Sequence, residues 1–329
     1  MKERVVKILK YCLWVALALV LLYFSFKSVK WEDFRDVLLS CHWGFVALAM
    51  AAGVLAFIFR ALRWRLLLLP EDEGVRQIDC YDGFTIGKVA DFVIPHVGEF
   101  VRCGYVSRSR KSLSYDKVLG TVVLERAWDI LTLILLIVVL LATGWNRFGG
   151  FFVTRIWEPA ANRLGGGLWW IAAAVVLALV AAVVCIVLLR RRSAFCARVT
   201  SFFKGIVQGA LSCFKMPQKG LFLAYTVILW GLFLLMSLFI IAALPESFGL
   251  GPVDALFLTL VGAVAGIVPV PGGFGAFHYL VALALSTIYG IPWETGIVFA
   301  TLSHESQAVT MAICGLLSYV RQSFLVRRD

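Results

Sequence analysis

The sequence predicts an all-α polytopic membrane protein with six transmembrane helices and two re-entrant broken helices, arranged as an inverted-topology repeat. Of its 329 residues, 61% are hydrophobic and only 16% are charged, whereas a soluble domain has about 45–50% apolar and about 25% charged residues. Apolar runs such as residues 168–189 are unbroken, whereas outer-membrane strands alternate apolar and polar residues in pieces of about ten. Two further apolar regions are interrupted by Pro and Gly.

Six apolar stretches are long enough to cross a bilayer. A hydrocarbon core about 30 Å thick requires about 20 apolar residues per helix. The first stretch is interpreted as a retained span, because no small-residue cleavage site follows Phe26. The predicted spans are residues 8–26, 43–62, 118–141, 168–189, 221–243 and 295–320.

Residues 82–107 and 253–290 are apolar regions that break near their middles. Pro removes a backbone donor and Gly is a poor helix former, so we expect each region to form two half-helices. Broken backbone at membrane depth is stable only inside protein or beside a wet cavity. The residues expected to break or gate these helices are Pro95, Gly98, Pro269, Pro271, Gly272, Gly273 and Gly275.

The charge distribution predicts the orientation. The net charge of +11 is assigned to cytoplasmic loops and not to nucleic-acid binding. If each broken region enters and leaves on one side, most of the 31 Lys and Arg residues lie on the side that holds both termini. The positive-inside rule then places both termini in the cytoplasm. The eight scattered cysteines contain no C-x-x-C pair, so we predict no disulfide framework, no metal site and no cofactor.

The order of elements repeats along the chain. Two spans, a broken region and one span occur twice, the second time from the opposite side. Residues 1–329 are therefore predicted to form one membrane domain, with repeats at about 1–143 and 166–322. Inverted repeats with broken helices in corresponding positions indicate a transport site at the repeat interface.

The third predicted span carries Glu125, Arg126 and Asp129 near the bilayer midplane. At 1.5 Å per residue they lie about 10–17 Å from its start, where a charge costs about 2.5–3.5 kcal/mol on insertion scales. His304 and Glu305 occupy the equivalent depth in the last span, so the two clusters are predicted to share one cavity. A buried ion pair that only fixes packing is the alternative.

The first broken region contributes Glu99 and Arg102 beside half-helix termini, whose partial positive charge favours an anionic group. We expect Glu99 either to pair with Arg102 or Arg126 or to carry a coupling proton. Snorkelling of Arg102 to the cytoplasmic interface stays open. In the second region, His278 is either a core histidine or a functional one. The end of the second span is expected to anchor among anionic headgroups through Arg60, Arg63, Trp64 and Arg65.

Three sequence blocks follow one another along the chain. They are Asp-Phe-Val-Ile-Pro-His-Val-Gly-Glu-Phe-Val-Arg at 91–102, Leu-Glu-Arg-Ala-Trp-Asp at 124–129 and Pro-Val-Pro-Gly-Gly-Phe-Gly at 269–275. These blocks resemble the signatures of the lysylphosphatidylglycerol synthase transmembrane-region family, the flippase-like integral membrane proteins. The resemblance covers essentially the whole chain and implies a lipid-translocating fold. It also implies a headgroup path lined by Glu99, Arg102, Glu125, Arg126 and Asp129.

Bifunctional relatives in this family carry a separate C-terminal domain that makes an aminoacylated lipid. Because this chain ends at Asp329, we expect no synthase domain and do not carry over aminoacyl transfer. The chain departs from the family pattern at three positions. Asp91 stands where Asn is frequent, His278 where an acidic residue commonly follows the glycine block, and His304 where the last span often has Arg. The headgroup is therefore not assigned.

The resulting hypothesis is a flippase or transporter of the inner (plasma) membrane. Its substrate is expected to be an anionic-headgroup lipid, of phospholipid or polyprenyl-phosphate type. Enzymatic activity is not expected, since no Walker loop, G-x-S-x-G elbow or H-E-x-x-H motif occurs. A membrane-embedded lipid-modifying transferase and a non-transporting scaffold are the alternatives. Membrane lipids are the expected partners, while a homodimer and a separate lipid-synthesising enzyme are left open. The expected substrate-binding residues are Glu99, Arg102, Glu125, Arg126, Asp129, His304 and Glu305.

Overall fold

The computed structural model describes residues 19–27, 29–94, 97–110, 112–150, 217–245, 249–266 and 270–326, together with a few isolated positions. The predicted span at 168–189 and most of the first span lie outside the described residues, as do Pro95 and Pro269. Contacts divide the chain into two compact units, each of which is described by itself. One combines Met1–Val122 with Gln218–Asp329, and the other is Val123–Pro217.

Secondary structure in the described part of the chain is helical, with no strand. A π-helical turn, Trp145–Gly149, and a 3-10 turn, Pro271–Gly273, accompany the α-helices. The α-helices are α1 (Trp31–Leu39), α2 (Trp43–Leu68), α3 (Gln77–Val93), α4 (Gly98–Ser109), α5 (Tyr115–Gly144), α6 (Lys219–Ala243), α7 (Pro252–Ala265), α8 (Ala276–Tyr289) and α9 (Trp293–Val326).

Among the described residues, four helical segments are long and apolar enough to cross a membrane. They are Trp43–Leu68, Tyr115–Gly149, Lys219–Ala243 and Pro271–Tyr289. The first three contain the predicted spans 43–62, 118–141 and 221–243. The fourth joins the 3-10 turn to α8 across a kink at Gly272, which has φ +61°. The six-span topology and the inverted repeat stay predictions.

The predicted last span, residues 295–320, lies within the 34-residue helix α9. This helix is not among the four apolar segments, although it is the longest of the described helices. His304, Glu305 and Gln307 fall inside it, and their polarity lowers the hydropathy of every window that includes them. A helix with such residues at membrane depth places them toward protein or a water-filled path.

The first broken region forms an antiparallel pair of helices, α3 and α4. The helix α3 ends at Val93 because Ile94 is extended (φ −130°, ψ 119°), and α4 begins at Gly98. The two helices approach closely, since a Cβ on Gly87 would lie 2.6 Å from the carbonyl oxygen of Gly98. Asp91 Oδ1 accepts the Gly98 N–H at 2.7 Å, which closes the turn.

The second broken region also forms an antiparallel pair, α7 and α8, on either side of the glycine-rich turn. Asp254 at the start of α7 accepts the Gly251 N–H at 2.8 Å and the Tyr289 hydroxyl at 3.0 Å. Because Tyr289 ends α8, this carboxylate joins the outer ends of the pair. Gly272, Gly273 and Gly275 all have positive φ, which is the backbone conformation that glycine adopts without steric cost.

The helices α2 and α6 pack against each other through small and apolar residues. Gly53 of α2 approaches the Met236 side chain to 3.4 Å, measured from an ideal Cβ position. Small residues allow this close approach, which is how helices associate in lipid. The buried cluster comprises Ala52, Ala56, Leu229, Leu232 and Met236. The helix α2 also contacts α3 and α9, and α6 contacts α9.

Candidate functional site

Arg102 of α4 is buried, with 1% of its surface exposed. Its Nε lies 2.6 Å from Glu99 Oε2, which confirms the predicted pairing with Glu99. The guanidinium also lies over the Trp64 ring, 4.6 Å from the centroid, in the geometry of a cation–π contact. Arg102 therefore does not extend to the lipid interface, because a carboxylate and an aromatic ring hold its guanidinium inside the protein.

Arg63 and Trp64 are fully buried as well. The Arg63 guanidinium lies 5.7 Å from the Phe222 ring centroid and donates to Thr226 Oγ1 at 3.5 Å. The indole N–H of Trp64 donates to Thr121 Oγ1 at 3.0 Å. The expectation that these two residues anchor α2 among headgroups is wrong, because partners on α5 and α6 take up their polar atoms.

Lys88 and Asp91 form an ion pair near the end of α3, with the Lys88 Nζ 3.0 Å from Asp91 Oδ2. Both side chains are about one-fifth exposed, at 21% each. Asp91 has a second partner in the Gly98 N–H, so it is fixed in the turn. Lys88 therefore presents a positive charge that is partly open to its surroundings.

The turns of the two broken regions meet in this unit. A Cβ on Gly272 would lie 3.1 Å from Phe92 Cδ1 and 2.7 Å from the Phe274 ring. The backbone of the glycine-rich turn thus packs directly against Phe92 at the end of α3. Glycine is required at Gly272 for two reasons, because φ is positive and two aromatic rings occupy the space of a side chain.

Two neighbouring cavities lie at this meeting point. The larger, about 280 Å³, has mainly apolar and aromatic walls from α6, α7, α8 and α9, including Trp230, Phe233 and Phe299. The smaller, about 270 Å³, includes Lys88 and Asp91. The residues that line both are Phe92, Gly272, Phe277, His304 and Met311.

His304 and Glu305 of α9 lie beside the glycine-rich turn. His304 Nε2 lies 2.8 Å from the Gly272 carbonyl oxygen, and His304 Nδ1 lies 3.0 Å from Glu305 Oε1. His278 of α8 joins them, with its Nε2 3.7 Å from the same carboxylate oxygen. The structure thus combines two predicted binding residues with a histidine whose role the sequence left open.

The three charged residues of α5 belong to the other unit. Glu125 is fully buried. Arg126 NH1 lies 3.7 Å from Asp129 Oδ2, and the two side chains are 38% and 17% exposed. The predicted ion pair within the helix is therefore confirmed. A cavity shared by this pair with His304 and Glu305 stays a prediction.

These features fit the sequence blocks on which the resemblance was based. The chain matches the family described as lysylphosphatidylglycerol synthase TM region over residues 12–315. It belongs to this family. No curated protein and no solved structure matches the chain significantly.

Membership in the lysylphosphatidylglycerol synthase transmembrane-region family, together with the apolar helices, makes the chain a multi-pass membrane domain of a lipid-related family. The match spans all three sequence blocks. In the structure, the first and third blocks supply the two turns that meet at Phe92 and Gly272. Pro95, His96 and Pro269 of these blocks lie outside the described residues.

A polar network around Asp82 was missed at the level of sequence. Asp82 is 1% exposed and pairs with Arg321. It also accepts from Gln322 Nε2 at 2.7 Å and from the Tyr105 hydroxyl at 3.2 Å. This carboxylate therefore ties α3 and α4 to the end of α9. The spacing of Asp79 and Asp82 could have indicated this network, because acidic side chains three residues apart lie on the same face of α3.

The loop between α2 and α3 is ordered by Asp72. The Ser112 hydroxyl donates to Asp72, and the Gly74 N–H donates to it at 2.8 Å. These hydrogen bonds, with the nearby charge of Arg110, hold the pKa of the Asp72 carboxyl below its usual value. Because the pKa is lowered in the folded state, this contribution to stability is present at neutral pH and is lost as the pH falls through the folded pKa.

Proposed function

We propose that this chain is a lipid transporter of the inner membrane that moves an anionic-headgroup lipid, of phospholipid or polyprenyl-phosphate type, between the leaflets. The observation that carries the proposal is the meeting of two broken-helix turns at paired cavities, where Phe92 packs on Gly272. Broken helices from corresponding halves of a chain commonly form the substrate site of a transporter. Membership in a lipid-related membrane family supports the same reading.

The two cavities differ in a way that suits a lipid. The larger has walls of Phe233, Phe299 and other apolar side chains, which suit a hydrocarbon chain. The smaller is lined by the partly exposed Lys88–Asp91 ion pair, whose ammonium group suits a phosphate. His304 lines both, so the site has an apolar end and a polar end that share one wall.

Arg126 of α5 supplies a further positive charge for an anionic headgroup. Its side chain is 38% exposed, and its contact with Asp129 is a loose 3.7 Å. An ion pair of this length and exposure is weak, at about 0–1 kcal/mol. The Arg126 guanidinium is thus partly exposed, whereas that of Arg102 is buried against Glu99 and Trp64.

The direct test is a translocation assay with the purified chain in liposomes that contain a panel of fluorescent lipids. Headgroup exposure on each leaflet is scored, and each lipid is identified by mass spectrometry. Movement of chemically unchanged lipid supports the transporter and defines its substrate class. Chemically altered lipid supports the transferase. If no lipid of a broad anionic panel is moved or altered, the transporter is overturned in favour of a scaffold.

We expect the Arg126→Ala variant to lose translocation while the protein stays folded in the membrane. The reason is that the charge recognising the headgroup is removed, whereas an exposed pair contributes little to stability. Arg35→Ala is the matched control, because Arg35 is an exposed arginine on α1 and its loss should leave the rate unchanged. Full transport by Arg126→Ala would remove Arg126 from the headgroup path.

A further inference from the structure

In the cluster of His278, His304 and Glu305, a neutral His304 leaves two hydrogen-bond acceptors facing each other. The Gly272 carbonyl oxygen only accepts, so His304 Nε2, at 2.8 Å, must carry the donated proton. In the neutral ring His304 Nδ1 is then an acceptor. It faces Glu305 Oε1, another acceptor, at 3.0 Å. A contact between two acceptors requires a positive charge, which is either a second proton on His304 or a bound metal ion.

His278 adds a third atom in need of a partner. It is 2% exposed, and its Nδ1 has no hydrogen-bond partner among the residues that the structure describes. Its Nε2 lies 3.7 Å from Glu305 Oε1, which is too long for a good hydrogen bond. A bond from Nε2 to a cation gives one nitrogen of this buried ring a partner, and Nδ1 then carries the ring proton.

We propose that His278, His304 and Glu305 bind a divalent transition-metal ion of the zinc type. One nitrogen or oxygen atom from each residue lies within 4.8 Å of the other two. Tetrahedral zinc bonds of about 2.0–2.1 Å place ligand atoms about 3.3 Å apart. The separations of 3.0 Å and 3.7 Å from Glu305 Oε1 fall on either side of that value. The separation between the two histidine nitrogens is at most 4.8 Å, so side-chain rotations are needed to bring all three atoms to bonding distance.

The surroundings of His304 match those of a metal ligand. Metal-bound histidines usually donate the other ring N–H to a carbonyl or carboxylate, which fixes the tautomer and the ring orientation. The Gly272 carbonyl has this role here, with His304 Nδ1 left to bind the metal. The rings of Phe274 and Phe277 lie 4.9 Å and 5.4 Å from the His304 ring and hold it in place.

The proposed site has three protein ligands and one open position. Glu305 is 39% exposed, and His304 lines both cavities. Three ligands of this kind with a free fourth position are typical of reactive or ligand-binding metal sites, whereas structural zinc sites usually have four protein ligands. Water or an anionic oxygen atom from the cavity completes the coordination. The metal site stands whether or not the chain transports lipid.

The test is zinc binding by the full chain in detergent. The protein is stripped with a chelator and titrated with Zn²⁺ in competition with a chromophoric zinc chelator. We expect one Zn²⁺ per chain whose apparent affinity falls about tenfold or more in His278→Ala, His304→Ala and Glu305→Gln. Glu305→Gln is decisive, because it retains the shape and volume of the side chain.

Two matched controls keep the result specific. His42→Ala removes a histidine before α2, and Glu294→Gln removes a carboxylate in the first turn of α9, and both should bind Zn²⁺ like the wild type. X-ray absorption should show imidazole and oxygen ligands. Absence of binding, wild-type affinity in the three cluster variants, or sulfur ligands from cysteine would overturn the site. A proton shared by His304 and Glu305 would then be the cation between them.

Discussion

Arg102 keeps its charge inside the protein because its partners come from two different helices. Glu99 lies one helical turn earlier on α4, while the Trp64 ring is on α2. The spacing of Glu99 and Arg102 made the ion pair predictable, since side chains three apart share a helix face. The contact with Trp64 was not predictable, because sequence spacing does not define which face of α2 meets α4.

Replacing Arg102 with Ala should destabilise the folded chain by about 3 kcal/mol, because removing one member of a buried ion pair costs about 3–5 kcal/mol. The lower end applies, since Glu99 is 18% exposed and water partly solvates the remaining carboxylate. Arg102→Lys should lose less, because it keeps the charge but not the planar group that lies on Trp64. Thermal unfolding in detergent measures the differences.

Arg108→Ala is the control for this residue. Arg108 is exposed on the same helix, so its loss should change stability by no more than about 0.5 kcal/mol. Equal melting temperatures for Arg102→Ala and Arg108→Ala would show that the buried guanidinium contributes nothing net to the fold. Its burial against Trp64 and Glu99 would then need another explanation.

At the scale of elements, the helix breaks were predictable and their contacts were not. Pro and Gly within apolar runs placed both turns correctly, because each residue type disfavours a continuous helix regardless of its neighbours. The packing of Phe92 on Gly272 joins residues 180 positions apart in sequence. Such a contact depends on how the elements pack, which local sequence rules do not contain.

Gly98→Ala should separate α3 from α4. A Cβ on Gly98 would overlap the Gly87 carbonyl oxygen and lie 2.7 Å from the Asp91 carboxylate, so the helices would have to move apart. Such overpacking typically costs about 1–3 kcal/mol. We expect a clear fall in the thermal unfolding temperature, with loss of the hydrogen bond from the Gly98 N–H to Asp91.

Gly104→Ala on the same helix is the matched control, and it should have the opposite sign. Nothing lies within 4 Å of a Cβ placed there, and Ala favours a helix over Gly by up to about 1 kcal/mol. If both variants shifted the unfolding temperature in the same direction and by the same amount, the close contact of α3 with α4 would not be what stabilises this pair.

At the scale of the whole molecule, hydropathy predicted the membrane class but did not show which helix carries the polar site. The helices α2, α5 and α6 are apolar enough to cross a membrane, whereas α9 carries the polar residues His304, Glu305 and Gln307 in its first half. His304 contacts the glycine-rich turn and lines a cavity together with Gln307, while Glu305 pairs with His304. Polar residues inside a predicted span thus marked where this helix faces protein and a cavity and not lipid.

The predicted orientation can be tested at two exposed positions that flank α2. Lys30 precedes α1, and Glu73 lies between α2 and α3. If α2 spans the bilayer, the positive-inside rule puts Glu73 in the cytoplasm and Lys30 outside. In a cysteine-free background, we expect a membrane-impermeant maleimide to label Lys30→Cys in cells with a permeabilised outer membrane. Glu73→Cys should be labelled only after the inner membrane is disrupted.

The two positions serve as controls for each other, because α2 is the only predicted span between them. The reverse labelling pattern would leave α2 as a span but contradict the charge-based orientation and the cytoplasmic termini. Labelling of both positions from outside would contradict α2 as a single crossing and, with it, the predicted six-span topology. If Lys30 is outside and Glu73 is inside, Lys88 and the α3–α4 pair lie in the cytoplasmic half of the membrane. This is where we expect an anionic headgroup to enter.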